Sequence, residues 1–244
     1  MFLKCSPTAL REWWRPNVEG VTRVRRGLWK MRGSRNGWLL LPLLLMALPG
    51  CGGAASNAEK TGEVMQVTES TRISDVIDDP LFGDCGRLLF PVDSGYWGGD
   101  TLGSLSLAWY SHIRPARTVG IVNALREQAS AGNRIFYRIY SEEEMRVDPR
   151  KADAGLFFFR GRPGARFALC SAGGGFVYVG AMHDSFPHAQ ELSKKGYNAF
   201  ALIYRPGAGT ACEDLARAIV FIHEHARELG VDASDYSLWG GSRG

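Results

Sequence analysis

The sequence has no apolar run long enough to cross a bilayer, which takes about 20 residues. The run at 38–48 (WLLLPLLLMAL) has 11 residues and is interrupted by Pro42. Cysteine is scarce, five in 244 residues, and no C-x-x-C unit exists, so nothing points to a zinc framework. Cys85, Cys170 and Cys212 show no paired spacing and read as free thiols. No H-E-x-x-H pattern is present: His223 and His225 flank Glu224, and residues two apart on a helix point different ways. The expectation is therefore no metal and no cofactor. Positive charge is also missing where a nucleic acid would need it. The formal net charge is +4, but residues 1–50 hold nine Lys or Arg against Glu12 and Glu19, leaving the other 194 residues at −3. A nucleic-acid partner, which requires a basic patch on the folded part, is excluded on that ground.

What the sequence does have is a globular composition, 45% hydrophobic and 22% charged, enough for one sizeable core. Ahead of it stands a leader at 1–50. The apolar run follows Lys30, Arg32 and Arg35 and leads into Pro49-Gly50-Cys51-Gly52-Gly53, the order of a signal peptide. Met31 opens a charged region of ordinary length, so it reads as the true start, with 1–30 as an extension. The exit resembles a bacterial lipoprotein box, which makes Cys51 the expected lipid attachment point and 51–70 a tether, Gly-, Ala- and Ser-rich over 52–62. The expected location is outside the cytoplasm, anchored to the membrane by that lipid, with a single uncleaved anchor as the alternative. The segment 71–244 is then the folded domain.

Within it, 118–131 carries apolar residues at helical spacing, 135–140 (IFYRIY) reads as a strand, and 141–144 as a capped turn. Trp97, Trp109 and Tyr110 are candidates for lining a sugar or acyl pocket, although aromatics of this kind usually belong to the core. After Lys151 the order sharpens. The runs 156–160 (LFFFR) and 167–170 (FALC), joined by Gly161-Arg162-Pro163-Gly164, read as neighbouring strands. A helix at 185–195, a buried strand at 197–204, a long amphipathic helix at 210–229 closed by Gly230, and a strand at 236–239 (YSLW) follow. Such alternation calls for an α/β fold, a mostly parallel sheet with helices on both faces.

Two motifs stand at strand ends. Gly240-Gly241-Ser242-Arg243-Gly244 fits G-x-S-x-G directly after YSLW, where Gly240 and Gly244 leave room for a serine on a tight strand-to-helix turn. Ser171-Ala172-Gly173-Gly174-Gly175-Phe176 follows FALC, and consecutive glycines leave backbone N–H groups uncovered to face a developing oxyanion. A structural glycine turn is the bland alternative for the second. His183 and Asp184 follow this loop closely and are expected at the start of the helix at 185–195, with contact to substrate as the alternative.

From 167 to 244 the sequence resembles the acetyl esterase and lipase branch of the α/β-hydrolases, feruloyl-esterase-like and hormone-sensitive-lipase-like enzymes included. The resemblance implies Ser242 as nucleophile, Gly174 and Gly175 with the N–H of Arg243 as oxyanion donors, and Tyr204, Arg205, Glu213 and Asp214 as structural residues. It implies a small ester or acylated carbohydrate as substrate and an acyl-enzyme mechanism. Ala172 stands where many relatives carry histidine, and Arg243 where they carry a small residue. In this fold the triad acid and base come after the serine. Gly244 is the last residue, so the sequence reads as the front part of an esterase, C-terminally incomplete, with negligible activity alone. A non-catalytic surface lipoprotein binding glycan or peptide, and a fragment of a prolyl-oligopeptidase-like peptidase, are the alternatives.

Overall fold

The structure, a computed structural model, describes residues 66–244. The leader, Met31 and Cys51 lie outside the described residues, as does most of the tether. The described elements are α1 (Ile73–Ile77), β1 (Trp97–Gly98), β2 (Ser106–Leu107), α2 (Pro115–Ser130), β3 (Phe136–Arg138), α3 (Glu142–Val147) and β4 (Gly155–Phe159). They continue with β5 (Arg166–Ser171), α4 (Ser185–Lys194), β6 (Asn198–Ile203), α5 (Ala208–Glu224), α6 (Ala226–Leu229) and β7 (Asp232–Gly240). Among the described residues no helix is long and apolar enough to cross a membrane.

Five strands form the main sheet in the order β3-β4-β6-β5-β7. β3 pairs antiparallel with β4 and β4 antiparallel with β6, whereas β5 is parallel to both β6 and β7. The fold is α/β, and its sheet is mixed. Parallel pairing is confined to the strands joined by crossover helices, as it must be, because a parallel neighbour can be reached only by a long return.

The triple phenylalanine of β4 shows how the sheet recruits helices on both faces. Side chains alternate along a strand. Phe157 and Phe159 accordingly meet Phe186 of α4, with ring centroids 5.0 and 5.7 Å apart. Phe158 points the other way and stacks on Phe200 at 4.3 Å. Phe167 lies on that second face, against Phe200 and against His223 of α5. A strand buried on both faces has no polar alternation to show, which is why LFFFR reads as a continuous apolar run.

The expectation that 156–160 and 167–170 are neighbouring strands is corrected here, because β6 lies between them. One buried side chain accounts for it. Asn198, the first residue of β6, accepts from the Gly161 N–H at 3.1 Å and donates to the carbonyls of Arg162 and Ala165 at 3.1 and 3.0 Å. The turn cluster is thereby held across the end of β6 rather than folding back as a tight hairpin.

Two boundaries also differ. The long helix is interrupted at His225, whose ring packs on Phe221 at 4.4 Å and pairs with Glu228, and a last turn (α6) ends at Gly230 in the left-handed conformation. β7 begins four residues earlier than YSLW, at Asp232, with a register shift opposite Arg166 and Phe167. Elsewhere local chemistry and structure agree. Ser141 and Glu144 form a reciprocal capping box on α3, and Pro115 occupies the first turn of α2.

Candidate active site

The register of the parallel strands places the two motifs side by side. Ser171 is opposite Gly240 across β5 and β7, so both chains leave the sheet at the same level. Ligands of open α/β sheets bind at this carboxyl edge.

The serine turn is tight. Gly244 donates its N–H to the Gly241 carbonyl at 2.8 Å. A Cβ on Gly240 would collide with the Gly244 carbonyl, and one on Gly244 with the backbone of Ser171 and Ala172. Ser242 itself has φ 54°, a left-handed conformation that an L residue adopts only under constraint. Its Cβ lies 3.0 Å from where a Cβ on Gly173 would stand, so the hydroxyl-bearing residue is against the glycine loop.

The loop is held from three sides. Asp184, 8% exposed, accepts the Gly173 N–H at 2.8 Å and the Tyr110 hydroxyl at 3.0 Å. Tyr204 donates to the Ala172 carbonyl at 2.7 Å. Gly180 donates to the Gly173 carbonyl at 2.9 Å. With Gly173 engaged, the N–H groups of Gly174 and Gly175 find no acceptor among the described residues, and neither does that of Arg243. The side chain of Arg243 lies over the ring of Phe176, its guanidinium 5.9 Å from the ring centre.

Sequence reasoning placed His183 and Asp184 just ahead of the helix, and Asp184 indeed precedes α4. What it missed is that the carboxylate turns back under the glycine loop. Tyr110 was missed in this role as well. With histidine absent at position 172, the Asp184, Tyr110 and Tyr204 side chains fix the loop. Burial and the Asp184 charge push the Tyr110 hydroxyl well above its ordinary range, and burial pushes Tyr204 up to about 12. Both remain protonated donors at neutral pH. Burial likewise raises the thiols of Cys85 and Cys170 to about 12, so neither is a nucleophile.

His183 is held down to about 4 by burial, and its Nε2 is buried without a partner among the described residues. The unfolded chain binds a proton there below about 6.5 while the folded chain does not until about pH 4. Stability is therefore full above pH 6.5 and falls as the pH drops toward 4. The urea midpoint of the chain is expected to decline across that window, and His183→Gln to flatten the decline. An unchanged slope in the variant would contradict this. His223, also lowered by burial, adds a smaller contribution of the same sign.

The other expected residues are plainly located. His223 and His225 sit on α5 and just beyond it, and among the described residues no group of His, Cys, Asp and Glu could hold a metal ion. Trp97 is half-buried, stacked on Phe90 at 5.7 Å with its indole N–H donating to Pro91. Trp109, for which a core position was the ordinary expectation, is 71% exposed.

Fold and site together define an α/β protein with a helix-flanked sheet and an exposed serine on a strained strand-end turn. No family model matches the chain, and no curated protein matches it. Solved structures do. They include the acetyl ester-xyloside bifunctional hydrolase of Caldicellulosiruptor lactoaceticus, 22% identical over 44% of this chain and 42% of that one, with a TM-score of 0.39. They include the esterase Est2 of Thermogutta terrifontis, 27% identical over 40% and 38%, TM-score 0.34. A sugar hydrolase of Lactococcus lactis is 20% identical over 36% and 38%, TM-score 0.33. The chain spans about two fifths of the length of these structures.

Proposed function

We propose that the chain supplies the nucleophile and the oxyanion-binding half of a serine carboxylesterase of the α/β-hydrolase type. One observation carries this reading: a serine with a left-handed backbone stands against a glycine loop whose next two N–H groups have no acceptor among the described residues. In the reaction, Ser242 Oγ attacks the carbonyl carbon of a small ester or acylated carbohydrate and its proton passes to a base. The carbonyl oxygen takes up negative charge facing the N–H groups of Gly174, Gly175 and Arg243, the alcohol departs with a proton, and water later clears the acyl group. The resemblance assigns the base to a histidine later in the chain order than the serine. Among the described residues none hydrogen-bonds to Ser242 Oγ, so the base that takes its proton is not among them. Residual acceleration from oxyanion binding alone reaches about 10³ to 10⁴-fold over water in triad-depleted enzymes. Export and lipidation at Cys51 belong to the same proposal and rest on the leader sequence.

The test is covalent. Treated with an ethyl fluorophosphonate and peptide-mapped, the chain is expected to carry one adduct, on Ser242, forming faster as imidazole is added to serve as external base. An adduct elsewhere, or none at saturating imidazole, removes the reading.

A further inference from the structure

We infer that Trp109 is the stacking platform for a neutral, flat ring carried by the ester that Ser242 attacks, an inference that rests on the esterase reading above. Among the described residues three that are not glycine have a left-handed backbone: Trp109 (φ 67°), Phe176 (φ 65°) and Ser242 (φ 54°). Such conformations are strained for bulky side chains and gather where function requires them. These three gather at one spot. Phe176 follows Gly175 directly, and a Cβ on Gly175 would stand 3.0 Å from Cζ3 of Trp109. The indole thus flanks the N–H that is offered to the carbonyl oxygen.

Trp109 is fixed from behind and bare in front. Tyr178, buried, and Tyr96 stack on each other at 4.9 Å, and their rings lie 5.5 and 6.2 Å from that of Trp109. The Tyr178 hydroxyl donates to the carbonyl of Ala108, the residue just before the indole. Among the described residues nothing equivalent covers the outer side, and Trp109 is 71% exposed. An isolated exposed tryptophan needs no explanation. A strained one, braced by two tyrosines beside a candidate oxyanion donor, has the build of a binding surface.

The chemistry of the occupant follows from the surroundings. An indole face attracts flat rings through their π face or their axial C–H groups, and attracts cations. The Arg243 guanidinium stands over the neighbouring Phe176 ring, so a cationic group would meet like charge. A neutral ring is favoured. It reaches the indole from an ester whose carbonyl lies on Gly175, as an aryl group or as a pyranose; both present the same flat apolar face.

The experiment uses the full chain carrying Ser242→Ala, which prevents acylation, with phenyl acetate, an acetylated methyl xyloside and ring-free ethyl acetate as probes in saturation-transfer NMR titrations. At least one ring ester is expected to bind about three- to tenfold more tightly than ethyl acetate, the range that an aromatic contact supplies. Which of the two does so distinguishes the aryl source from the sugar. Trp109→Ala should abolish the preference, and Trp109→Phe should keep it in part. Absence of any ring preference, or a preference unchanged in Trp109→Ala, overturns the inference. Fluorophosphonate labelling of the unsubstituted chain reports separately on Ser242, so a missing adduct beside an intact ring preference counts against the esterase reading and not against Trp109.

Discussion

Ser242→Ala is expected to eliminate covalent modification by fluorophosphonates, and Gly174→Ala to slow it by about 10² to 10³-fold, the penalty for one lost oxyanion donor. The first follows because the buried thiols are held protonated near pKa 12 and no other described serine has a left-handed backbone. The second follows from backbone geometry. Gly174 has φ 145°, which side-chain-bearing residues rarely adopt, and a Cβ there would run into the Tyr178 carbonyl. Its own carbonyl accepts the N–H groups of Val177 and Tyr178 at 3.0 and 3.3 Å, so the turn would have to open to accommodate alanine. Opening swings the N–H of residue 174 away from the serine. The sheet should be untouched, since the loop lies beyond its edge, and far-UV circular dichroism of Gly174→Ala should match the parent. A variant that labels at the parental rate would show that this N–H does not face the reacting oxygen.

Asp214→Ala is expected to destabilise the fold by about 3 to 5 kcal/mol, the cost of stripping one partner from a buried ion pair. Asp214 is fully buried and Arg205 3% exposed. The carboxylate accepts from the Arg205 backbone N–H at 2.7 Å, from its guanidinium at 2.7 to 3.2 Å, and from the Tyr140 hydroxyl at 2.6 Å. Glu213 and Asp148 also receive Arg205, at 2.9 and 3.1 Å. With alanine at 214, the guanidinium keeps these two more exposed carboxylates and the Tyr140 hydroxyl, to which it donates at 3.1 Å, and that hydroxyl loses its acceptor. A small domain has only about 5 to 15 kcal/mol in total, so the variant should unfold at much lower urea. The pair joins the segment just after β6 to α5 and thus fixes the crossover between β6 and β7, the strand that leads to Ser242. Arg205→Met added to Asp214→Ala should recover part of the loss, because the unpaired buried charge is then gone. A urea-derived change below about 1 kcal/mol for Asp214→Ala would contradict this reading of the pair.

Legibility in the sequence followed locality. The glycine loop and the serine turn are each five or six residues long, and their backbone demands are written in the glycines themselves. Strands β4 and β6 were readable as buried runs because both of their faces are covered. Strand order was not readable, because it depends on the amide of Asn198 gripping a turn more than 30 residues earlier. The loop's anchors escaped for the same reason. Tyr110 and Asp184 are 74 residues apart and meet through a single hydrogen bond, and no periodicity or motif announces such a pairing. The exposure of Trp109 runs against the ordinary behaviour of aromatics, and only its φ and its place beside Gly175 mark it out. The pairing of Arg205 with Asp214, nine residues apart across a strand end, was anticipated only as structural, through the resemblance; its burial and its tyrosine partner came from the fold.

The most direct measurement is a crystal structure of the chain after reaction with an ethyl fluorophosphonate. The account predicts phosphorus bonded to Ser242 Oγ, with the phosphoryl oxygen about 2.7 to 3.1 Å from the N–H nitrogens of Gly174 or Gly175 and of Arg243. A phosphoryl oxygen turned to solvent with those amides unengaged, or phosphorus on any other side chain, would contradict it.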